Sequence, residues 1–63
     1  MILLHKDLIL DHTYDVIEVE GNIAPAINWC RETFGDPGDR WFMSNHKFYF
    51  KHEKDAMWFE LKW

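Results

Sequence analysis

The chain has one cysteine, two prolines and three glycines among its 63 residues, and it is short of basic residues. A single cysteine, Cys30, excludes the internal disulfide that supports many small secreted domains, so we expect a reducing compartment. Seven Lys and Arg against eleven Asp and Glu leave a net charge of −4. Without a basic block, the chain is not expected to bind duplex DNA, because that contact depends on displacing counterions from phosphates.

Long hydrophobic runs are also missing. A membrane span needs about 18 apolar residues in succession, and no run approaches that length. The first charge, Lys6, comes too early for the apolar region of a secretory signal. We therefore expect a cytoplasmic protein that is not bound to a membrane.

Aromatic residues are abundant, with five Phe, four Trp and two Tyr, and 48% of the residues are hydrophobic. This composition excludes intrinsic disorder. The length predicts a single domain over residues 1–63, which can bury only about 60% of its unfolded surface. Large aromatic side chains can compensate for so small a core.

Two strands are predicted near the N-terminus. Apolar residues at the even positions of 2–10, with Lys6 as the exception, indicate an extended segment. Asp11-His12 is predicted to form a turn into a second strand over 13–20, where one face carries Ile17 and Val19. The other face carries Tyr14, Val16 and Glu18.

A helix is predicted next. Asn22 can cap its N-terminus through its side-chain oxygen, and Pro25 falls in the first turn. One apolar stripe follows helical spacing, and Gly35 is predicted to end the helix. The stripe consists of Ile23, Ile27, Cys30 and Phe34. A turn over residues 36–39 then reverses the chain.

Residues 40–44 and 47–51 are rich in strand-forming residues, and the two-residue loop Asn45-His46 predicts a hairpin that pairs Ser44 with Lys47. In that register one face is apolar and suits the core. This face carries Trp41, Met43, Phe48 and Phe50, whereas the other shows Phe42 beside Tyr49.

Residues 52–63 fit both a helix and a strand by periodicity. Propensity favours a helix from about Glu53, with the last three or four residues open to either conformation. The predicted order is β-β-α-β-β-α, optionally with a short final strand. The simplest packing is an α+β fold with an antiparallel sheet and both helices on one face, related to ferredoxin-like folds.

No metal or cofactor site is predicted, because no two of the four histidines have helical i, i+4 spacing and one cysteine cannot form a thiolate cage. Cys30 lies on the apolar stripe and is better explained as a small buried residue than as a nucleophile. Glu32, Asp36 and Asp39 suit a helix end and a turn better than general acid–base catalysis. We therefore expect no enzyme and no small-molecule substrate, with a metal-dependent enzyme as the third alternative.

The candidate partner-binding residues are the aromatics that the core does not use. The second sheet face carries Tyr14, Phe42 and Tyr49, and we expect the off-stripe residues Trp29 and Trp58 to lie next to it. So much open aromatic surface favours a homodimer, a surface for another protein, or a stacking platform for single-stranded nucleic acid. Partial exposure with no role is the alternative, since a small domain cannot bury every aromatic.

Residues 26–63 resemble small uncharacterised proteins of marine tailed phages. The similar motifs are aromatic strands, a short Asp-Ala helix and a terminal Trp, in the segments Trp29–Gly35, Arg40-Trp41, Lys47–Phe50 and Asp55–Trp63. The resemblance implies a viral or environmental gene acting in a bacterial cytoplasm, and it carries no known activity.

Together these observations predict a small non-enzymatic domain that binds protein, either a second copy or a bacterial host protein, through the aromatic sheet face. The alternative is a weak single-stranded nucleic-acid binder.

Overall fold

The computed structural model describes the backbone of residues 2–9 and 12–63, and the side chains of Lys6, Leu8, Ile9 and residues 12–63. The predicted turn at Asp11 lies outside these residues. The predicted α+β class, with an antiparallel sheet of four strands and two helices, is confirmed. In chain order the elements are β1 (Ile2–Ile9), β2 (His12–Val19), α1 (Ala24–Phe34), β3 (Trp41–Ser44), β4 (Lys47–Phe50) and α2 (Glu53–Lys62).

The strands lie in the order β1-β2-β4-β3, and every neighbouring pair is antiparallel. The predicted strand over 2–10 is therefore a paired strand over 2–9, aligned with the whole length of β2. The predicted hairpin register is confirmed, because Ser44 lies opposite Lys47. Asn45 has a φ of 57°, a conformation that asparagine tolerates better than most residues and that suits a two-residue loop.

Both helices pack on one face of the sheet, which we call the helix face. It presents Ile17 of β2, Phe48 and Phe50 of β4 and Trp41 of β3, all fully buried. Met43, the fourth residue of the predicted core face, is half-buried against them. From the helices the core takes Ala26, Cys30, Phe34, Ala56 and Phe59.

The ends of α1 follow the sequence closely. The Asn22 side-chain oxygen accepts a hydrogen bond from the Ala24 amide at 3.1 Å, although Ile23 rather than Asn22 immediately precedes the helix. Pro25 lies in the first turn, as predicted. Gly35 ends the helix with a φ of 91°, and its N–H donates to the Arg31 carbonyl at 3.1 Å.

Helix α2 begins at Glu53, as predicted, and continues through Lys62, so the residues left open by periodicity are helical. The Trp63 N–H donates to the Phe59 carbonyl at 2.8 Å. The Trp63 ring stacks on Phe59, with 5.5 Å between ring centroids and 7° between planes. The helical conformation therefore places the Trp63 ring against Phe59 of the core.

Candidate interaction surface

The sheet face opposite the helices, which we call the open face, is covered by no other described element. Tyr49 of β4 lies opposite Phe42 of β3 on one side and Val16 of β2 on the other, so these residues form one row across the sheet. Phe42 and Tyr49 are half-buried. Val16 is fully buried on this face, where no helix of the described part of the chain lies.

The aromatic side chains of the open face form one connected group. Phe42 stacks on Tyr49, with 4.6 Å between ring centroids and 7° between planes. Tyr14 meets Phe42 edge to face at 5.3 Å. Because β4 separates β2 from β3, Tyr14 and Phe42 can touch only by leaning across β4. As a result Tyr14 is only 7% exposed, and the expectation that all three aromatics are open is wrong for Tyr14.

One end of the open face carries two opposite charges. Glu18 of β2 lies directly opposite Lys47 of β4, one step along the sheet from the Val16–Tyr49 pair. Both side chains are half-buried. Neither forms an ion pair within 4 Å with another residue in the described part of the chain. Each charge is therefore available to a group that approaches from outside.

Trp29 and Trp58 do not lie next to this face, and the prediction that they do is wrong. Trp29 packs among the helix-face aromatics, with ring centroids 5.8 Å from Phe59 and 5.7 Å from Trp63. Trp58 meets Trp29 at 5.9 Å and is 53% exposed. Off-stripe positions on a helix flank the core on its own side of the sheet, so these residues cannot extend the open face.

A second apolar area lies on the outer side of α2, and sequence reasoning missed it. Leu61 is 88% exposed, and Met57 and Trp58 are more than half exposed. Met57 and Leu61 line a shallow cavity of about 170 Å³ with Glu60. The signal was available in the i, i+4 spacing of Met57 and Leu61, on the side of the helix away from Phe59.

A shallow groove of about 310 Å³ lies where β2 ends beside the β3–β4 turn. The His46 ring nitrogen Nδ1 lies 3.1 Å from the Val19 carbonyl oxygen, and the Val19 N–H donates to the His46 carbonyl at 2.8 Å. The groove is lined by Glu18, Val19, Glu20, Gly21 and His46. The contact between the His46 ring and the Val19 carbonyl holds the β3–β4 turn against β2, and it thereby fixes the position of Lys47.

Two ion pairs hold carboxylates that are buried on the helix side of the sheet. Arg40 donates to both oxygens of Asp55, from Nε at 2.9 Å and from Nη2 at 3.3 Å, which raises the pKa of the Arg40 guanidinium. Lys6 donates to Asp15 Oδ1 at 2.6 Å, and this hydrogen bond raises the pKa of the Lys6 ammonium. The second oxygen, Asp15 Oδ2, is buried and has no hydrogen-bond partner among the residues that the structure describes.

Cys30 is buried, as its place on the apolar stripe predicts. Burial raises the pKa of its thiol to about 12, so the sulfur carries its proton at neutral pH. A buried, protonated thiol is a poor nucleophile. The carboxylates considered for acid–base chemistry lie at the surface, and Asp36 pairs with Arg31 at 3.5 Å.

No three His, Cys, Asp or Glu side chains in the described part of the chain are grouped so that they could hold a metal ion. Within residues 2–9 and 12–63, no helix is both long and apolar enough to cross a membrane. No known protein family, curated protein or solved structure matches the chain.

Proposed function

We propose that this chain is a small protein-binding domain and that the open face is its contact surface. The observation that carries the proposal is the stacked pair of Phe42 and Tyr49, which is half-buried on a face that no described element covers. Aromatic side chains are enriched in the cores of protein interfaces, where a few of them supply most of the affinity. The proposal assigns no catalytic residue.

A protein partner fits this face better than a nucleic acid. The net charge of −4 and the position of Glu18 on the face both repel phosphate groups. One observation favours the alternative of single-stranded nucleic acid, because the flat Phe42–Tyr49 stack adjoins Lys47 and bases stack on such rings. Salt dependence separates the two, since phosphate contacts weaken steeply with ionic strength and apolar contacts do not.

The test replaces the exposed pair with Phe42→Ala and Tyr49→Ala together. Association is followed by light scattering for self-assembly and by capture of other proteins from a bacterial lysate, each at low and high salt. We expect the double variant to lose the association that the native chain shows, while its circular dichroism stays native. A matched control, Met57→Ala with Leu61→Ala, removes exposed apolar area on α2 and leaves association intact.

Three results would contradict the proposal. Association that survives the Phe42 and Tyr49 substitutions excludes the open face as the contact surface. Association lost only in the Met57 and Leu61 control moves the contact to the helices. Binding to a single-stranded oligonucleotide that disappears at high salt replaces the protein partner with the nucleic-acid alternative.

We also propose that the fold is a cyclic permutation of the ferredoxin-like arrangement. In the segment β2-α1-β3 the two strands flank β4, which is the split β-α-β pattern of that fold. Moving β1 from the start of the chain to its end converts the element order β-β-α-β-β-α into β-α-β-β-α-β. A solved structure whose permuted strands superpose on this sheet would test the relation.

We propose a bacterial cytoplasm as the site of action, and a tailed-phage origin for the gene. The single buried cysteine supports a reducing compartment, because it leaves no disulfide to form. The origin rests on the sequence resemblance over residues 26–63. Locating a tagged copy in bacterial cells tests the compartment, and secretion into the periplasm would contradict it. The origin is tested by whether the gene lies within a tailed-phage genome.

A further inference from the structure

We propose that the partner of the open face is a second copy of this chain, packed face to face about a two-fold axis that runs parallel to the strands between β2 and β4. The inference rests on the proposed function and names its partner. It is carried by the charges at the end of the face, where Glu18 and Lys47 lie at the same height on the two central strands. Neither has an ion-pair partner among the described residues.

The register between β2 and β4 makes the open face complementary to itself when it is rotated about this axis. A two-fold rotation about a line between β2 and β4 lays β4 of one copy over β2 of the other and keeps the height along the strands. Because Glu18 and Lys47 are register partners, Lys47 of each copy then lies over Glu18 of the other. By the same rule Tyr49 of each copy lies over Val16 of the other, so two ion pairs lie side by side at one end of the interface, next to an apolar row.

The other in-plane axis is disfavoured by the same charges. An axis perpendicular to the strands would lay β4 over β4 of the second copy and reverse the height along the strand. Lys47 would then lie over β4 of the second copy and away from Glu18, which is on β2. That arrangement leaves both charges without an opposite charge across the interface, so the charge pattern favours the axis parallel to the strands.

The geometry agrees with sheet packing in general. The proposed axis passes through the middle of the four-stranded sheet, because β2 and β4 are its central strands. The short strands β3 and β4 of each copy therefore lie over the part of β1 and β2 of the other that is level with residues 15–18. Sheets that pack face to face keep their strands within about 30° of each other, which leaves Lys47 above Glu18. Four strands spaced about 4.8 Å apart make a small face, so we expect a weak dimer.

The test uses two single variants, Lys47→Glu and Glu18→Lys, alone and mixed. Either variant alone places two like-charged pairs across the dimer interface. The mixture restores both opposite-charged pairs between the copies, whereas each chain still carries its own like-charged pair within itself. Gain of association on mixing therefore reports contacts between copies and not repair of the fold. A mass tag on one variant identifies the heterodimer by native mass spectrometry.

We expect the native chain to dimerise in light scattering over about 10 µM to 1 mM, each variant alone to be monomeric, and the mixture to associate at least about tenfold more tightly than either variant alone. The gain should shrink at about 1 M salt, where exposed charges are screened. Circular dichroism of each variant verifies folding. If either reversal unfolds the chain, Lys47→Gln and Glu18→Gln replace the pair. Each should weaken the native dimer, and mixing restores one of the two ion pairs, so the mixture should recover part of the loss.

The possible outcomes distinguish a failure of the proposed dimer from a failure of the proposed function. A native chain that stays monomeric overturns the second copy as partner, while loss of a captured foreign protein with Phe42→Ala and Tyr49→Ala would keep the proposed function. A dimer that those substitutions disrupt but that shows no gain on mixing overturns the axis parallel to the strands. A dimer that those substitutions leave intact overturns both proposals.

Discussion

The two faces of the sheet carry similar aromatic content but differ in what covers them. On the helix face Trp41, Phe48 and Phe50 are fully buried beneath two helices. On the open face the aromatics cover one another, and Phe42 and Tyr49 are only half-buried. The same strands supply both faces. The difference in burial therefore comes from the helices that cover one face and not from the composition of the strands.

The comparison shows how a 63-residue chain can support both a core and an interaction surface. Each strand alternates its side chains between the two faces, so one strand can supply a core residue and a surface residue at neighbouring positions. Phe48 and Tyr49 of β4 are such a pair. The described residues form two helices, and both pack on one face, so no helix of the described part covers the second face.

Removing a large ring from each face is the strongest way to test this difference. Phe59 is fully buried, with ring centroids 5.0 Å from Phe48 and 5.2 Å from Phe50. We expect Phe59→Ala to lower the free energy of unfolding by about 3 to 5 kcal/mol, and Phe42→Ala on the open face by about 1 kcal/mol. Urea unfolding followed by tryptophan fluorescence, at protein concentrations too low for association, measures both.

A domain of this size has a total stability of only about 3 to 9 kcal/mol, so Phe59→Ala can leave the chain unfolded. Phe59→Leu supplies a milder cavity at the same site and should still cost more than Phe42→Ala. Leu61→Ala, at a position 88% exposed, is the control and should change stability by less than about 0.5 kcal/mol. Equal losses for Phe59 and Phe42 would mean that the open face belongs to the core.

Alkaline pH offers a second way to distinguish the two faces of the sheet, because the buried thiol of Cys30 lies on the helix face alone. Burial raises the pKa of Cys30 from 9.0 to about 12, so above pH 9 the unfolded chain releases a proton that the folded chain retains. Stability therefore falls as pH rises. Between pH 9.0 and 10.5 the expected loss is about 1.6 kcal/mol, since each pH unit contributes up to about 1.36 kcal/mol and the unfolded thiol is half ionised at pH 9.0.

The window is kept below pH 10.5 because Lys6 adds a loss of its own above it. The raised pKa of the Lys6 ammonium means that its stabilising contribution is present below 10.5 and disappears as pH passes through the folded value. Urea midpoints measured across the window test the effect. Cys30→Ala should be less stable at every pH but should lose the slope, and a variant that keeps the native slope would show that the thiol is not its source.

The parts of the fold that could be predicted are those that local rules decide. The hairpin register follows from the two-residue loop at Asn45-His46, and α1 follows from one stripe of apolar residues closed by Gly35. The conformation at the end of α2 could not be predicted, because Phe59 would fit the core with helical spacing and with strand alternation alike. Its conformation depends on contacts with Phe48 and Phe50, which lie elsewhere in the sequence.

The candidate surface was predictable only in part, for the same reason. Alternation along β3 and β4 put Phe42 beside Tyr49, and the structure has them stacked. The burial of Tyr14 depends on how far Phe42 leans across β4, which no sequence pattern encodes. The placement of Trp29 and Trp58 depends on how each helix is rotated against the sheet.

The smallest expected effect concerns α1, which covers part of the helix face. One glycine at its end allows the helix to stop and the chain to return to the sheet. Gly35 has φ 91° and ψ −169°, a region that only glycine occupies without strain. Its carbonyl accepts a hydrogen bond from the buried Trp41 indole at 2.9 Å, so its conformation reaches into the core. Gly35→Ala should lower the free energy of unfolding by about 1 to 2 kcal/mol.

Gly38→Ala is the matched control, because a Cβ at either glycine meets no atom within 4 Å and only Gly35 has a positive φ. The difference between the two variants in urea unfolding therefore measures backbone strain and not crowding. Since Gly38 lies at the surface, its substitution should be close to neutral. Equal effects at both positions would show that the left-handed turn at Gly35 does not limit stability, and that α1 can cover the helix face with a different ending.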